Sequence, residues 1–370
     1  MNSGRSIWRI AWRLAIGTLL LAWIFHAIFL LEGARAWRGQ GQTWETLSRL
    51  EQWGVAWSYG PRELWATMSL VSPGALGLSF LFMGMTLLLG VIRWQIVLRV
   101  HGLNLSFGRT SEISLVAQFF NSFLLGSMGG DVLKAYYVAR ETHHKKTEAV
   151  ATVLVDRLLG LFAMLLFACL MMLPNFSLLM AHQRLAALAG LVLLMMLGCA
   201  LVIALFLWGG LSRRWPQARV WLKRLPKGDL LERALEACRH FGRDWCVLGK
   251  VLGLSMALNI CCVLHIMSVA IGLRLEIAPM ALFVIVPVIV CISALPITPS
   301  GLGVRENLYV WMLAAVNTPA ASALSLSLLA YAGFLTWSVI GGIVYLTRRE
   351  RDHLAEIVQS QAAEENPPSA

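Results

Sequence analysis

Charged side chains are scarce in this chain. Only 14% of its 370 residues are Asp, Glu, Lys or Arg, while 58% are hydrophobic; about a quarter of the residues in an average soluble domain are charged. Several apolar runs reach the roughly 20 residues that an α-helix needs to cross the bilayer core. The composition therefore excludes an ordinary soluble fold. It predicts an all-α polytopic membrane protein with a single membrane domain over residues 1–370.

Recognisable catalytic and metal-binding motifs are missing as well. The sequence contains no Gly-x-Ser-x-Gly elbow, no His-Glu-x-x-His motif and no Walker loop. Its seven cysteines lack zinc-finger spacing and lie mostly in apolar runs, so we interpret them as small buried hydrophobic residues. We therefore expect a chain that is not an enzyme and that binds neither a metal nor a cofactor.

The charges that are present are mainly basic, and the formal net charge is +11. Nucleic acid is one partner for such a charge. In membrane proteins, however, basic residues collect in cytoplasmic loops, where they face anionic lipid. We therefore expect membrane lipids and no nucleic acid as partners. The same rule predicts a multi-pass protein of the cell (inner) membrane with both termini in the cytoplasm.

Hydropathy predicts six full spans, two of them in each of two repeats. Five tryptophans between the first two spans are typical of short helices resting on the outer leaflet. The predicted order is a first span at 14–31, an outer amphipathic segment at 32–72, a first repeat at 74–173, a span at 185–208, a cytoplasmic basic loop at 209–247, a second repeat at 248–346 and a cytoplasmic tail of disordered composition at 347–370.

Each repeat contains an apolar stretch that glycine or proline interrupts. Proline removes a backbone donor and glycine frees the backbone, so neither continues a helix well. The arms are too short to cross, which predicts re-entrant hairpins at 111–140, entering from the cytoplasm, and at 277–316, entering from outside. Two such repeats of opposite orientation form an inverted repeat. If both hairpins cross fully, the chain has eight spans instead. The predicted helix-breaking residues are Gly126, Gly129, Gly130, Pro296, Pro299, Gly301 and Gly303.

The second arm of each hairpin begins near its break, so its unpaired N–H groups favour an anion such as phosphate. Lys134 and Arg305 are the nearest cations, and with Arg157 they are the candidate substrate-binding residues. Asn121 is a further candidate for substrate binding, although we favour a role in which its side chain forms hydrogen bonds with backbone groups that the break leaves unpaired. We expect Arg305 to pair with an acid other than Glu306, because residues i and i+1 point apart on a helix.

Three acids are candidates for ion pairing or proton coupling. Asp131 and Glu306 lie in the first turn of the second arms, where an acid also caps a helix, and the two roles are compatible. For Asp156 and its neighbour Arg157 one interpretation is anchoring near the cytoplasmic surface. The other is that Asp156 pairs with a base of the first hairpin while Arg157 reaches the inward cavity mouth.

The two breaks together resemble the signatures of a known family. The run Asn121-Ser-Phe-Leu-Leu-Gly-Ser-Met-Gly-Gly-Asp131, followed by Asp156-Arg157, is similar to its first signature, and Leu295-Pro-Ile-Thr-Pro-Ser-Gly-Leu-Gly-Val-Arg-Glu306 is similar to its second. This is the flippase-like, lysylphosphatidylglycerol synthase transmembrane-region family of bacteria and archaea. The resemblance covers about residues 75–346. The family usually has proline where Gly126 stands and often glutamate where Asp156 stands.

The resemblance implies movement of lipids, often with modified headgroups, between leaflets. In the full synthases a soluble aminoacyl-transferase domain follows the membrane part. This chain ends shortly after its last span, so we do not expect the synthase activity. Our hypothesis is a flippase or scramblase-like transporter that moves a lipid with an anionic or modified headgroup between the hairpins. The alternatives are a headgroup transferase, a small-solute or ion transporter, and a scaffold for a lipid-modifying enzyme partner.

Overall fold

A computed structural model describes residues 43–123, 129–141, 146–181, 183–207, 245–295, 298 and 301–365, together with helical residues within 19–38. The predicted break residues Gly126, Pro296 and Pro299 lie outside the described residues. So do most of the basic loop at 209–247 and part of the first span at 14–31. All regular structure in the described part of the chain is helical, which agrees with the predicted fold class.

Eleven α-helices are labelled α1 to α11 in chain order. A short 3-10 turn, Trp44–Thr46, precedes them. They are α1 (Arg49–Ser69), α2 (Pro73–Val100), α3 (Phe107–Phe123), α4 (Gly129–Glu141), α5 (Lys146–Met172), α6 (Phe176–Ala181), α7 (Gln183–Leu207), α8 (Trp245–Gly272), α9 (Pro279–Ser293), α10 (Val304–Ala314) and α11 (Ala320–Glu365).

Four helices are long and apolar enough to cross a membrane. These are α2, most of α5, α8 and the first part of α11, and each contains an 18-residue window of mean hydropathy between 1.7 and 2.2. They match the four spans predicted inside the two repeats. The predicted span at 185–208 corresponds to α7, in which the apolar stretch Leu185–Leu201 is shorter. The protein is therefore a multi-pass helical membrane protein.

Two segments differ from the sequence-based expectation. The second half of the outer segment forms one long helix of 21 residues, where short helices were expected. A capping box between Ser48 and Glu51 starts this helix. The helix continues through Pro61, and the residues Ala56 and Leu64 on either side of this proline are buried, which holds the helix in place. The tail is helical as far as Glu365. Its residues are mostly good helix formers, and its first proline comes only after Glu365.

The two predicted hairpins correspond to α3 with α4 and to α9 with α10. The arms of the first run antiparallel, because Gly130 bonds Asn121 at the break while Arg109 pairs with Glu141 at the open end. The arms of the second also pack against each other. With 11 to 17 residues per arm, each arm is about 16–26 Å long, less than the roughly 30 Å of a bilayer core. Their re-entrant orientation in a membrane stays a prediction.

The helix contacts follow the same pattern in both predicted repeats. Within the first, the contacting pairs are α2–α3, α3–α4, α4–α5 and α2–α5; within the second they are α8–α9, α9–α10, α10–α11 and α8–α11. Contacts between the repeats correspond in the same way. The first arm of each hairpin packs on the last span of the other repeat, α3 on α11 and α9 on α5, and the first span of each repeat packs on that same last span, α2 on α11 and α8 on α5. Among the described residues, each of these main contacts within or between the predicted repeats thus has a counterpart.

The pairing that joins the repeats is that of α2 with α8, which are both 28 residues long. Ser79 contacts His265 near one end of the pair and Arg93 contacts Ser255 near the other, so the two helices are antiparallel. The two helices therefore run in opposite directions along the length of their contact.

Candidate functional site at the two helix breaks

The first break is held by an ion pair between α4 and the following span. Asp131, the third residue of α4, pairs with Arg157 of α5. In the other arm, Asn121 Oδ1 accepts a hydrogen bond of 2.8 Å from the backbone N–H of Gly130. Asn121 thus performs the backbone task that we favoured for it. Gly130 also lets the arms touch, because a Cβ there would lie 2.0 Å from the carbonyl oxygen of Ala117.

The predicted extent of this break is too wide at its second end. Gly129 and Gly130 belong to the first turn of α4 and not to the interruption. Glycine is tolerated there because the first N–H groups of a helix have no partner within the helix, and the Gly130 N–H has Asn121 instead.

Asp156 pairs with a base that the sequence did not single out as part of a site. Its Oδ1 accepts a hydrogen bond of 2.9 Å from Nε of Arg93 on α2, and Nη1 of Arg93 lies 3.2 Å from Oγ of Ser255 on α8. The expectation that Asp156 pairs with a base of the first hairpin is therefore wrong for its hydrogen-bonded partner. Gly160 makes room for this pair, since a Cβ there would lie 3.0 Å from the Arg93 guanidinium nitrogens.

Lys134 lies beside the Arg93–Asp156 pair. Its ammonium is 4.6 Å from the ring centroid of Trp94, a cation–π contact, and it interacts electrostatically with both Asp156 and Arg93. Together with the Asp131–Arg157 pair, the first break contains three bases and two acids. This leaves one positive charge in excess, which favours a negatively charged ligand.

The second break lies between α9 and α10, as predicted. Gly301 and Gly303 have φ angles of +70° and +80°, a conformation that side chains other than glycine adopt at a cost. Glu306 is completely buried, and its Oε2 accepts a hydrogen bond of 2.7 Å from the N–H of Gly303. It therefore caps the start of α10.

Arg305 does pair with Glu306, contrary to the expectation from their adjacent positions. The Glu306 side chain turns back towards Gly303, so its carboxylate comes within reach of the long arginine side chain. The Arg305 guanidinium also stacks 4.1 Å from the ring centroid of Tyr331. Its Nε lies 3.4 Å from Oγ of Ser327. Both of these partners belong to α11.

Helix α11 joins the two breaks. Its residues Ser327 and Tyr331 contact Arg305, while Ser338 contacts Ser122 near the first break at 2.6 Å. Ser338 lies seven positions after Tyr331, about 10 Å along a helix. The same face of α11 therefore contacts the second hairpin and the tip of the first.

Among the residues of this site that the sequence-based reasoning missed are Arg93, Trp94, Ser327 and Tyr331. Arg93 lies near the end of its helix, where a basic residue ordinarily marks the cytoplasmic side. Its position was nevertheless a signal, since it lies seven residues before the end of α2, and an ionisable side chain that far inside an apolar helix needs a partner. The structure also leaves His265 buried and bonded to Ser79, as expected of a core histidine.

The sequence matches the family described as the lysylphosphatidylglycerol synthase transmembrane region over residues 46–359. The chain belongs to this family. A UPF0104 membrane protein of Methanothermobacter thermautotrophicus is 28% identical over 295 residues, which cover 73% of this chain and 82% of that protein. A UPF0104 membrane protein of Pyrococcus horikoshii is 22% identical over 293 residues, covering 74% and 87% respectively.

The match to the lysylphosphatidylglycerol synthase transmembrane-region family includes both breaks and every helix from α1 to α10. It agrees with the family that the two motifs indicated.

Proposed function

We propose that this protein moves lipids with anionic headgroups between the two leaflets of the cell membrane. The observation that carries the proposal is the pair of helix breaks joined by α11, one with an excess positive charge and the other with a base stacked on Tyr331. A headgroup would pass between the hairpins while its acyl chains stay in the bilayer. Membership of a family named for a lipid-modifying synthase supports a lipid as the substrate.

The equivalence of the helix contacts supports an inverted repeat. Transporters built from inverted repeats place their substrate near the bilayer midplane, at the interface of the repeats and beside interrupted helices. In this chain both interrupted segments have an acid at the third residue of the second arm, Asp131 in α4 and Glu306 in α10. Each of these arms also contacts the twelfth residue of the helix that follows it, Arg157 of α5 and Tyr331 of α11.

The charges at the breaks explain why a headgroup would take this path. A phosphate left unpaired in hydrocarbon costs several kcal/mol, because ions lose their hydration there. Lys134 and Arg305 are the bases whose described contacts include an aromatic ring, and an anion can replace a ring contact without stranding an acid. We assign Lys134, Arg305 and Arg157 to headgroup binding, with Asp131 and Glu306 holding Arg157 and Arg305 in position and Asp156 holding Arg93 beside Lys134.

Leaflet exchange of fluorescent lipids in proteoliposomes tests the proposal. We expect headgroup-dependent exchange that falls at least about tenfold in Lys134→Gln and in Arg305→Gln, as the loss of one charge-assisted contact of roughly 1.5–3 kcal/mol implies. The matched controls are Lys250→Gln, at an exposed lysine, and Arg38→Gln, at an exposed arginine. Both controls should exchange lipids at the wild-type rate.

Two results would contradict parts of this proposal, the first the assignment of Lys134 and Arg305 and the second the transport function itself. Undiminished exchange in the Lys134→Gln, Arg305→Gln double variant would remove these bases from the transport path. No exchange of any anionic lipid by folded protein would instead favour a headgroup transferase.

A further inference from the structure

Three side-chain oxygens around the second break are buried and have no hydrogen-bond partner among the described residues. They are Oγ of Ser293, Oγ1 of Thr298 and Oδ1 of Asn307. Thr298 is only 4% exposed and Asn307 only 9%. Buried polar atoms in proteins are nearly always bonded, so a group of unpaired ones favours a bound water or ion at that place.

The three residues surround one turn. A Cβ on Gly301 would lie 3.1 Å from Cβ of Ser293, and the Gly301 N–H donates to the carbonyl of Thr298 at 3.3 Å. Asn307 Nδ2 donates to the carbonyl of Gly303, two residues further on, at 2.6 Å. The residues therefore approach the same short segment from the end of α9, from the turn itself and from the start of α10.

The bond from Asn307 to Gly303 also fixes which amide atom is unpaired. A carbonyl only accepts hydrogen bonds, so the amide nitrogen must face it and the oxygen must face away. Asn307 follows Arg305 by two positions, which places their side chains about 200° apart around α10. The unpaired oxygen is thus turned away from the guanidinium.

All three unpaired atoms are oxygens, so a ligand bound at this turn would be held by oxygen atoms. Ser293 is the last residue of α9, so the last carbonyls and the negative dipole end of that helix lie beside the same turn, although the carbonyls of Val290 and Ile292 already accept hydrogen bonds. Oxygen ligands bind hard cations, and in inverted-repeat transporters such helix ends and unwound backbone coordinate Na⁺. The nearest carboxylate, Glu306, is already bonded to Gly303 and Arg305, which disfavours a divalent ion.

We propose that the second break binds one Na⁺ ion through Ser293, Thr298 and Asn307, together with backbone carbonyls at the end of α9. The site itself is independent of lipid movement. Its role rests on the proposed function, because the charge of a bound cation would offset that of an anionic headgroup held at Arg305. Ion and lipid would then stabilise each other in the same state of the protein, by reciprocal linkage.

Thermal unfolding of purified protein tests the site without lipid transport. We expect NaCl to raise the melting temperature in a saturable way, whereas KCl and choline chloride at equal ionic strength do not, because a ligand that binds only the folded state stabilises it. Thr298→Val should weaken the apparent Na⁺ affinity by about tenfold, as the loss of one ligand worth about 1.4 kcal/mol implies. Thr298→Ser, which keeps the hydroxyl, should retain it.

Ser114→Ala is the matched control, since Ser114 Oγ is also buried and unpartnered but lies in α3 of the first hairpin. This variant should keep the full Na⁺ effect. If Thr298→Val does not fold, Ser293→Ala replaces it. Equal stabilisation by all three salts, as expected of a pocket holding only water, overturns the proposal. So does an Na⁺ effect that survives both Thr298→Val and Ser293→Ala.

Lipid exchange measured with K⁺ as the only alkali cation separates this proposal from the proposed function. One outcome is that the protein exchanges lipids in NaCl and in KCl alike, while Na⁺ does not raise its melting temperature. This outcome would reject the cation site and keep the lipid transporter. An Na⁺ effect on stability in a protein that exchanges no lipid would keep the site and reject the transporter.

Discussion

The ion pair between Arg93 and Asp156 allows a test of how the first break is held together. Both side chains are nearly buried, with 12% and 11% of their surface exposed. Two unit charges about 4 Å apart attract by about 4 kcal/mol at an effective dielectric constant near 20. Removing one partner leaves the other buried and unpaired, at a cost of about 3–5 kcal/mol.

A double-mutant cycle measures the coupling between these two residues. Arg93→Met removes the charge and keeps the apolar stem, and Asp156→Asn removes the charge at nearly constant volume. Each single variant strands a charge, although Ser255 still holds Arg93 and Lys134 remains near Asp156. The double variant strands none. We therefore expect it to be less destabilised than the sum of the two single variants by about 2–3 kcal/mol.

Reversible unfolding in mixed micelles of mild detergent and dodecyl sulfate gives the four free energies. The control cycle uses Arg38→Met and Glu45→Gln, whose ion pair is 59% and 69% exposed and should couple by less than about 1 kcal/mol. Hydrogen bonds between neutral groups in membrane proteins contribute only about 0.6 kcal/mol on average. A coupling within about 0.5 kcal/mol of zero for Arg93 and Asp156 would therefore refute the ion pair.

Two further predictions concern packing and capping. Gly341→Ala should destabilise the protein by about 1–3 kcal/mol, because its Cβ would lie 2.0 Å from a backbone oxygen of α3; Gly190→Ala, which meets nothing within 4 Å, should be neutral or stabilising in the same unfolding assay. Hydrogen bonds from Ser48 lower the pKa of Glu51 below 4.5, so its stabilisation of α1 is present above pH 4.5 and is lost as the pH falls through the lowered pKa. Hydrogen exchange should then show reduced protection of the first turn of α1 at low pH in the wild type, but no such pH dependence in Glu51→Gln.

The sequence was sufficient for features that depend on local chemistry. Apolar runs of span length locate α2, α5, α8 and α11, because crossing a bilayer requires both length and hydrophobicity. The second break follows from its glycines, since Gly301 and Gly303 adopt positive φ. Its capping by Glu306 follows from the spacing of three residues between the acid and Gly303.

The partners of the charged residues required the structure. Asp156 bonds Arg93 from 63 positions away, and nothing in either local segment indicates that α2 and α5 lie side by side. Arg305 reaches its own neighbour because the Glu306 side chain folds back to cap α10. The angle of about 100° between adjacent helix positions gives the direction in which each side chain leaves the helix, but it does not give the position of the guanidinium at the end of a long arginine side chain.

The antiparallel pairing of α2 and α8 has a consequence for movement. Between the residues that the structure describes, each ion pair at the breaks has both members in one repeat, as in Arg93 with Asp156 and Arg305 with Glu306. The polar contacts described above between the two predicted repeats are hydrogen bonds with at least one neutral partner, such as Ser79 with His265. A tilt of one predicted repeat against the other would therefore leave these ion pairs together, in a medium that does not hydrate separated charges.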